Sequence, residues 1–131
     1  MGSWLECEND TNHKNKYKRY EFVKSLAERK PLSCGVCGGK LTYKTKQVWP
    51  NSDNYEANFV LEEAYKIDDE YDKYAPFLLK LKNPDGEYTY WLQYWVKTKR
   101  KGSTEETWKY GQYAPLLDKA QMENLAKLLQ L

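Results

Sequence analysis

With 131 residues, 31% of them charged and 40% hydrophobic, the chain is sized for a single domain around one core and has the balance of a soluble globular protein. No stretch approaches the roughly 18 to 20 apolar residues of a membrane span. The opening "MGSWLECEND" has neither the basic nor the apolar segment of a secretory signal, so a cytoplasmic protein is expected. A net charge of +2 is too small to imply general affinity for nucleic acid or membrane, but the charge is unevenly spread. Seven basic residues fall within 14–30 against Glu21 and Glu28, and eight acids fall within 53–72 against Lys66 alone, which predicts a two-sided surface.

Between Asn15 and Lys30, the residues Tyr17, Tyr20, Val23, Leu26 and Ala27 recur at three- and four-residue spacing, and Pro31 closes the run. That pattern predicts an amphipathic helix with a basic outer face that includes Lys16 and Arg19. After "CGVCGGKL", in "KLTYKTKQVW", Leu41, Tyr43 and Thr45 alternate with Lys40, Lys44 and Lys46, the period of a half-exposed strand. "NFVLEEAYKI" places Phe59, Leu61, Tyr65 and Ile67 on one side with Glu63 interrupting, a pattern open to strand or helix, of which strand is favoured. "PFLLKLK" and "EYTYWLQYWVKTK" flank "NPDG", the clearest hairpin signal in the chain. In its second arm Trp91 and Trp95 share a face with Thr89, Gln93 and Lys97, opposite Tyr88, Tyr90, Leu92, Tyr94 and Val96. A further strand is expected through Trp108 and Tyr110. Asp118 with Gln121 predicts a capping box, followed by a helix whose apolar stripe is Met122, Leu125, Ala126 and Leu129.

The expected fold class is α+β: an N-terminal helix with a metal knuckle, a mostly antiparallel sheet of four or five strands, and a C-terminal helix packed on it. The whole of 1–131 is read as one domain, with a metal-binding part over about residues 4–41 and the sheet and last helix over about 42–131.

The pair Cys34 and Cys37 admits a redox or a metal reading. A redox C-x-x-C belongs at the start of a helix in a βαβ unit, whereas this one precedes two glycines and an alternating strand. Gly35, Gly38 and Gly39 permit the tight turn that brings two sulfurs onto one ion. The stretch resembles the knuckle of zinc-ribbon and treble-clef domains, which implies a ligand pair over residues 34–41 and no particular function. Zinc takes four ligands in a closed structural site. Cys7 and His13 supply the other two, so the spacing Cys7-x5-His13-x20-Cys34-x2-Cys37 uses every cysteine and histidine of the chain. Against this stands the reading in which the thiols are simply reduced and His13 is solvated.

A closed site has no open position for water, and no histidine remains for general-base work. The expectation is therefore a non-enzymatic, zinc-stabilised binding module. Glu62 and Glu63 with Lys66 or Lys80 offer a carboxylate-based nuclease as a weaker alternative, and no nucleotide-binding glycine loop occurs. Two ligand classes are weighed. Nucleic acid, DNA or RNA, is suggested by Lys16 and Arg19, by Lys97, Lys99, Arg100 and Lys101, and by Trp91 and Trp95 as stacking platforms. A protein-interaction or regulatory module, such as a small accessory protein, is suggested by Tyr110, Gln112 and Tyr113, which Gly111 and Pro115 would present in a fixed loop.

Overall fold

The computed structural model describes residues 2–48, 56–67, 72–99, 101–111 and 116–129. The chain begins as a strand, β1 (Ser3–Cys7), and reaches its first helix only at α1 (Arg19–Ala27). There follow β2 (Leu41–Val48), β3 (Glu56–Lys66), β4 (Tyr74–Lys82), β5 (Tyr88–Lys99), β6 (Glu106–Tyr110) and β7 (Leu116–Asp118), and then α2 (Lys119–Leu128). The strand order is β1-β2-β3-β4-β5-β6, with β7 also on β5, and every pairing is antiparallel.

This corrects the expected α+β layout. Among the described residues the molecule is mostly an antiparallel sheet of seven strands with two short helices; a strand precedes the first helix, and four or five strands is too few. The strands that escape the sequence pattern are the short ones. β1 has five residues and β7 three, too few for alternation to register. Pairing defines β1 instead, through a register with the distant β2 that sets Cys7 opposite Leu41.

One face of the sheet carries the core. β2 buries Leu41, Tyr43 and Thr45, and β4 contributes Ala75, Phe77, Leu79 and Leu81, each 0% exposed. β5 adds Trp91, Gln93 and Trp95. Helix α1 lies over this face and buries Tyr20, Phe22 and Val23. Tyr20 stacks on Trp108 at 4.6 Å and meets Phe77 and Trp95 edge-on, while Phe22 packs against Tyr43. Burying each such side chain contributes about 1.5–3 kcal/mol, which makes the β4–β5 centre the most strongly held part of the sheet. Its hairpin is set locally: Asn83 N–H donates to Glu87 O at 2.8 Å, Gly86 N–H donates to Asn83 O at 3.0 Å, and Gly86 takes a φ of 89°, a conformation favouring glycine. Inside this face Gln93 Oε1 accepts from Trp95 Nε1 at 2.9 Å, whereas Gln93 Nε2 finds no partner among the described residues.

β3 departs from simple alternation. Its register with β4 shifts between Leu61 and Glu63, and a bulge there reverses which residues face the core. Phe59, Leu61 and Ala64 are buried, while Tyr65 and Ile67, expected beside Phe59 and Leu61, are 36% and 55% exposed.

The first helix is shorter than its pattern. Residues 14–18 stay outside it, and Lys18 holds a ψ of 151°. In this segment His13, Asn15 and Tyr17 are half-buried while Lys14, Lys16 and Lys18 are exposed. Asn15 is anchored elsewhere: its Oδ1 accepts from Gly35 N–H at 2.7 Å, and that tertiary bond outweighs local helix propensity. The helix ends in a Schellman motif, with Arg29 N–H on Leu26 O, Lys30 N–H on Ser25 O, and Arg29 at a φ of 63°.

α1 touches both β1 and β6, and Ser3 and Leu5 of β1 line the same cleft as Trp95 and Trp108. The sheet therefore curls until its two edges approach, with residues 11–20 in the seam between them. β6 and β7 follow the same side of β5, interrupted at Gly111, whose N–H donates to Tyr94 O at 2.8 Å. A β-carbon at 111 would run into the Tyr94 ring, so that crossing requires glycine. α2 carries the capping box of Asp118 and Gln121, but none of its residues is buried and Leu129 is 59% exposed.

Candidate metal centre

The knuckle is built by the backbone. Gly38 N–H donates to Cys34 O and Cys34 N–H to Gly39 O, both at 2.8 Å, and Gly38 takes a φ of 75°. Ser33 bridges to Lys40, and the chain then runs straight into β2. Because β1 pairs with β2, Cys7 at its end arrives beside this turn. Residue 8 continues the contact, with Glu8 N–H on Lys40 O at 2.9 Å. A turn at Asp10 then folds the chain back: Asn12 N–H donates to Asp10 Oδ1 and His13 N–H to Asp10 O, the local bonding that aspartate favours. His13 is thereby returned to the sulfurs.

The result is a compact donor set. One ligand atom from each of Cys7, His13, Cys34 and Cys37 lies within 4.8 Å of every other. Cys7 Sγ and Cys37 Sγ are 3.5 Å apart, and Cys34 Sγ is 3.7 Å from His13 Nδ1. A tetrahedral ion with metal–sulfur bonds of about 2.3 Å separates its ligands by about 3.8 Å, so these spacings are those of a ligand sphere. All three cysteines are free thiols. Among the described residues no other group of three or more such side chains converges in this way.

A second layer orients the donors. Asn9 Nδ2 points at Cys37 Sγ and Asn15 Nδ2 at Cys34 Sγ, each at 3.5 Å, and Gly39 N–H points at Cys37 Sγ at 3.4 Å. His13 turns Nδ1 to the sulfurs and Nε2 to Asp10 Oδ2 at 3.6 Å, the carboxylate–imidazole arrangement that fixes a metal-binding histidine. The electrostatics follow from these contacts. Burial opposes ionisation of Cys34, but Asn15 and the amides of Cys37 and Val36 bring its thiol down to about 6. Asn9 and the Gly39 amide likewise lower Cys37. Burial pushes Cys7 up. Burial works against a charged His13, yet the Cys37 and Cys34 side chains and the Asp10 carboxylate raise it on balance. Thiolate is the metal-binding form of cysteine, and two of the three thiols are biased toward it.

The other predicted site residues scatter. Trp91 and Trp95 are each 3% exposed in the core and offer no face to a base: Trp95 meets Tyr20 of α1 edge-on, and Tyr110 sets its ring against both. Lys16 and Arg19 are exposed, but on the extended segment and first helical turn and not on a long basic helix face. Lys97 is half-buried with its Nζ 6.0 Å from the Trp108 ring, and Lys99 and Lys101 are exposed at the β5–β6 turn. Tyr110 is 36% exposed and sets its ring edge-on to Trp91 and Trp95. Arg100, Gln112 and Tyr113 lie outside the described residues. Glu62 lines a groove beside α1, while Glu63 stands opposite Lys80 in β4 and accepts from the Tyr65 hydroxyl, so the two carboxylates do not form one site. Sequence reasoning missed Asn9, Asp10 and Asn15. The signal for them was available, since Asn9 and Asn15 each follow a donor by two residues.

The seam of the curled sheet holds a cleft of about 470 Å³ next to the donor set. Its lining includes His13 and Asn15 of the corner, the exposed bases Lys14, Lys18 and Arg19, the half-buried rings of Tyr17 and Trp108, and buried Trp95. Among the described residues no helix is long and apolar enough to cross a membrane. No family model, curated protein or solved structure matches the chain.

Proposed function

We propose that Cys7, His13, Cys34 and Cys37 bind one zinc ion as a closed structural site of the zinc-knuckle type, and that the chain so stapled is a non-enzymatic module for binding nucleic acid. The observation that carries the reading is the convergence of four donor atoms from two separate stretches of chain, 7–13 and 34–37, to within 4.8 Å. Three thiols and an imidazole suit zinc among the common metals. Four protein ligands fill a tetrahedral sphere, so the ion has no position for water or substrate and serves to hold 7–13 and 34–40 together. Zinc contributes on the order of 10 kcal/mol in small structural sites.

The nucleic-acid part is supported by exposed Lys14, Lys16 and Lys18 along one extended strip beside that corner, followed by exposed Arg19 in the first helical turn, the kind of row that neutralises phosphates. The test is native mass spectrometry of the freshly purified protein and of Cys34→Ser. One zinc per chain, absent from the variant, is the expected result; metal-free protein purified under reducing, chelator-free conditions would overturn the site. A fluorescent single-stranded oligonucleotide should bind with an affinity that falls steeply with salt. No anisotropy change at low salt would end the nucleic-acid reading.

A further inference from the structure

We propose that the seam cleft binds a single nucleotide, its phosphate held by Lys14, Lys18 and Arg19 and its base laid against Tyr17 and Trp108. The proposal rests on the nucleic-acid reading and narrows it to one site. The cleft's size, about 470 Å³, falls within the roughly 300–1,000 Å³ of small-ligand pockets. Its rim is one-signed: three basic side chains line it and no carboxylate does. The first turn of α1 opens there as well, since Lys18, Arg19 and Tyr20 all line the cleft. Lys18 supplies no side-chain cap to that turn. The positive end of the helix dipole adds to the attraction for a phosphate there.

The floor explains why the ligand is a nucleotide and not a bare anion. Trp108 is half-buried and fixed by the parallel Tyr20 ring at 4.6 Å. Tyr17, also half-buried, lines the cleft from the extended 13–18 segment. Rings beside a cationic rim are the two components that an unpaired nucleotide requires. The site also differs from the one the sequence suggested: the rings that reach solvent are Tyr17 and Trp108, while Trp95 lies beneath them. Because His13 and Asn15 form part of the wall, the metal corner fixes one side of the cleft and the curl of the sheet fixes the other.

The test titrates the full-length zinc-loaded protein with adenosine 5′-monophosphate and, separately, with inorganic phosphate, following the indole N–H resonances. The nucleotide should shift Trp108. Arg19→Glu should weaken it by about tenfold or more, the worth of one hydrogen bond to a charged group. Lys82→Glu makes the same charge change on the opposite face of the sheet and should alter affinity less than about twofold. Glutamate is favourable in a first helical turn, so Arg19→Glu keeps the fold. Three results would overturn the proposal: no cleft resonance moves, phosphate binds as tightly as the nucleotide, or the two charge reversals act equally. An oligothymidylate arm separates this site from the broader reading. Salt-dependent binding that ignores Arg19→Glu spares nucleic-acid binding and removes the cleft from it. A cleft that takes the mononucleotide while the oligomer fails to bind supports a free-nucleotide site and ends the broader reading.

Discussion

At the centre of the sheet, Ala75, Phe77, Leu79 and Leu81 of β4 are wholly buried, and a turn of five residues fixes their register with β5. At the Cys/His corner the surroundings are polar and open: residues 8–12 are exposed, Cys37 is exposed, and Val36 is 60% exposed. The centre joins neighbouring stretches of chain and removes apolar area from water. The corner joins distant stretches: Cys7 and Cys34 reach the edge of the core, but the exposed loop around them removes little apolar area, so N–H···S contacts hold it together. The difference teaches where a bound ion would contribute most: where distant stretches of chain meet in a largely exposed, polar loop.

Removing the metal should therefore separate the two regions most sharply. Chelation of zinc-loaded protein is expected to abolish amide-exchange protection at Cys34 and Gly38 while the β4–β5 amides keep most of theirs. Simultaneous loss in both regions would show that corner and sheet form one cooperative unit. Phe77→Ala attacks the other side of the comparison. It should cost about 3–5 kcal/mol in denaturant unfolding with zinc stoichiometry unchanged; a variant that also loses zinc would join the regions again.

Gly111→Ala comes next, because the new methyl displaces the Tyr94 ring. Overpacking of this kind costs about 1–3 kcal/mol, read in the unfolding midpoint, and should leave metal affinity untouched. Asn15→Ala acts on the corner and leaves the β4–β5 centre intact. It removes the donor to Cys34 Sγ and the acceptor for Gly35 N–H, and a competition titration should show about 10- to 100-fold weaker zinc binding. Affinity unchanged within error would mean that Asn15 only shapes the turn.

The smallest expected effect is the pH dependence of β1, the strand that links the regions. Glu6 is held below the usual carboxylate range by Trp4 Nε1 at 3.1 Å and Lys44 Nζ at 3.2 Å. With the folded value depressed, its contribution is complete above the unfolded carboxyl value of about 4.3. It fades as pH falls through the folded value. Glu6→Gln should lose at most about 1 kcal/mol at neutral pH and flatten the acid limb of stability against pH. A steeper acid limb in the variant would reverse the assignment.

Much of this was legible in the sequence wherever the governing contacts are local. The Leu41, Tyr43, Thr45 alternation, the turn at 83–87 with Gly86, and the Asp118–Gln121 box depend on spacing and turn chemistry within a few residues. The donor set was legible for a different reason: the chain has only three cysteines and one histidine to offer. Tertiary structure decided the rest. The pairing of β1 with β2 turned an unpatterned N-terminus into a sheet edge. The hydrogen bonds of Asn15 to the knuckle held residues 14–18 extended against their helical spacing. A bulge at Glu62 and Glu63 reversed the faces of β3, and packing by Tyr20 and Tyr110 closed Trp95 and Trp91 into the core, leaving Tyr17 and Trp108 as the half-buried rings of the seam cleft. Each of these outcomes is fixed by contacts between residues far apart in the chain, and hydrophobic period and turn propensity carry no term for such contacts.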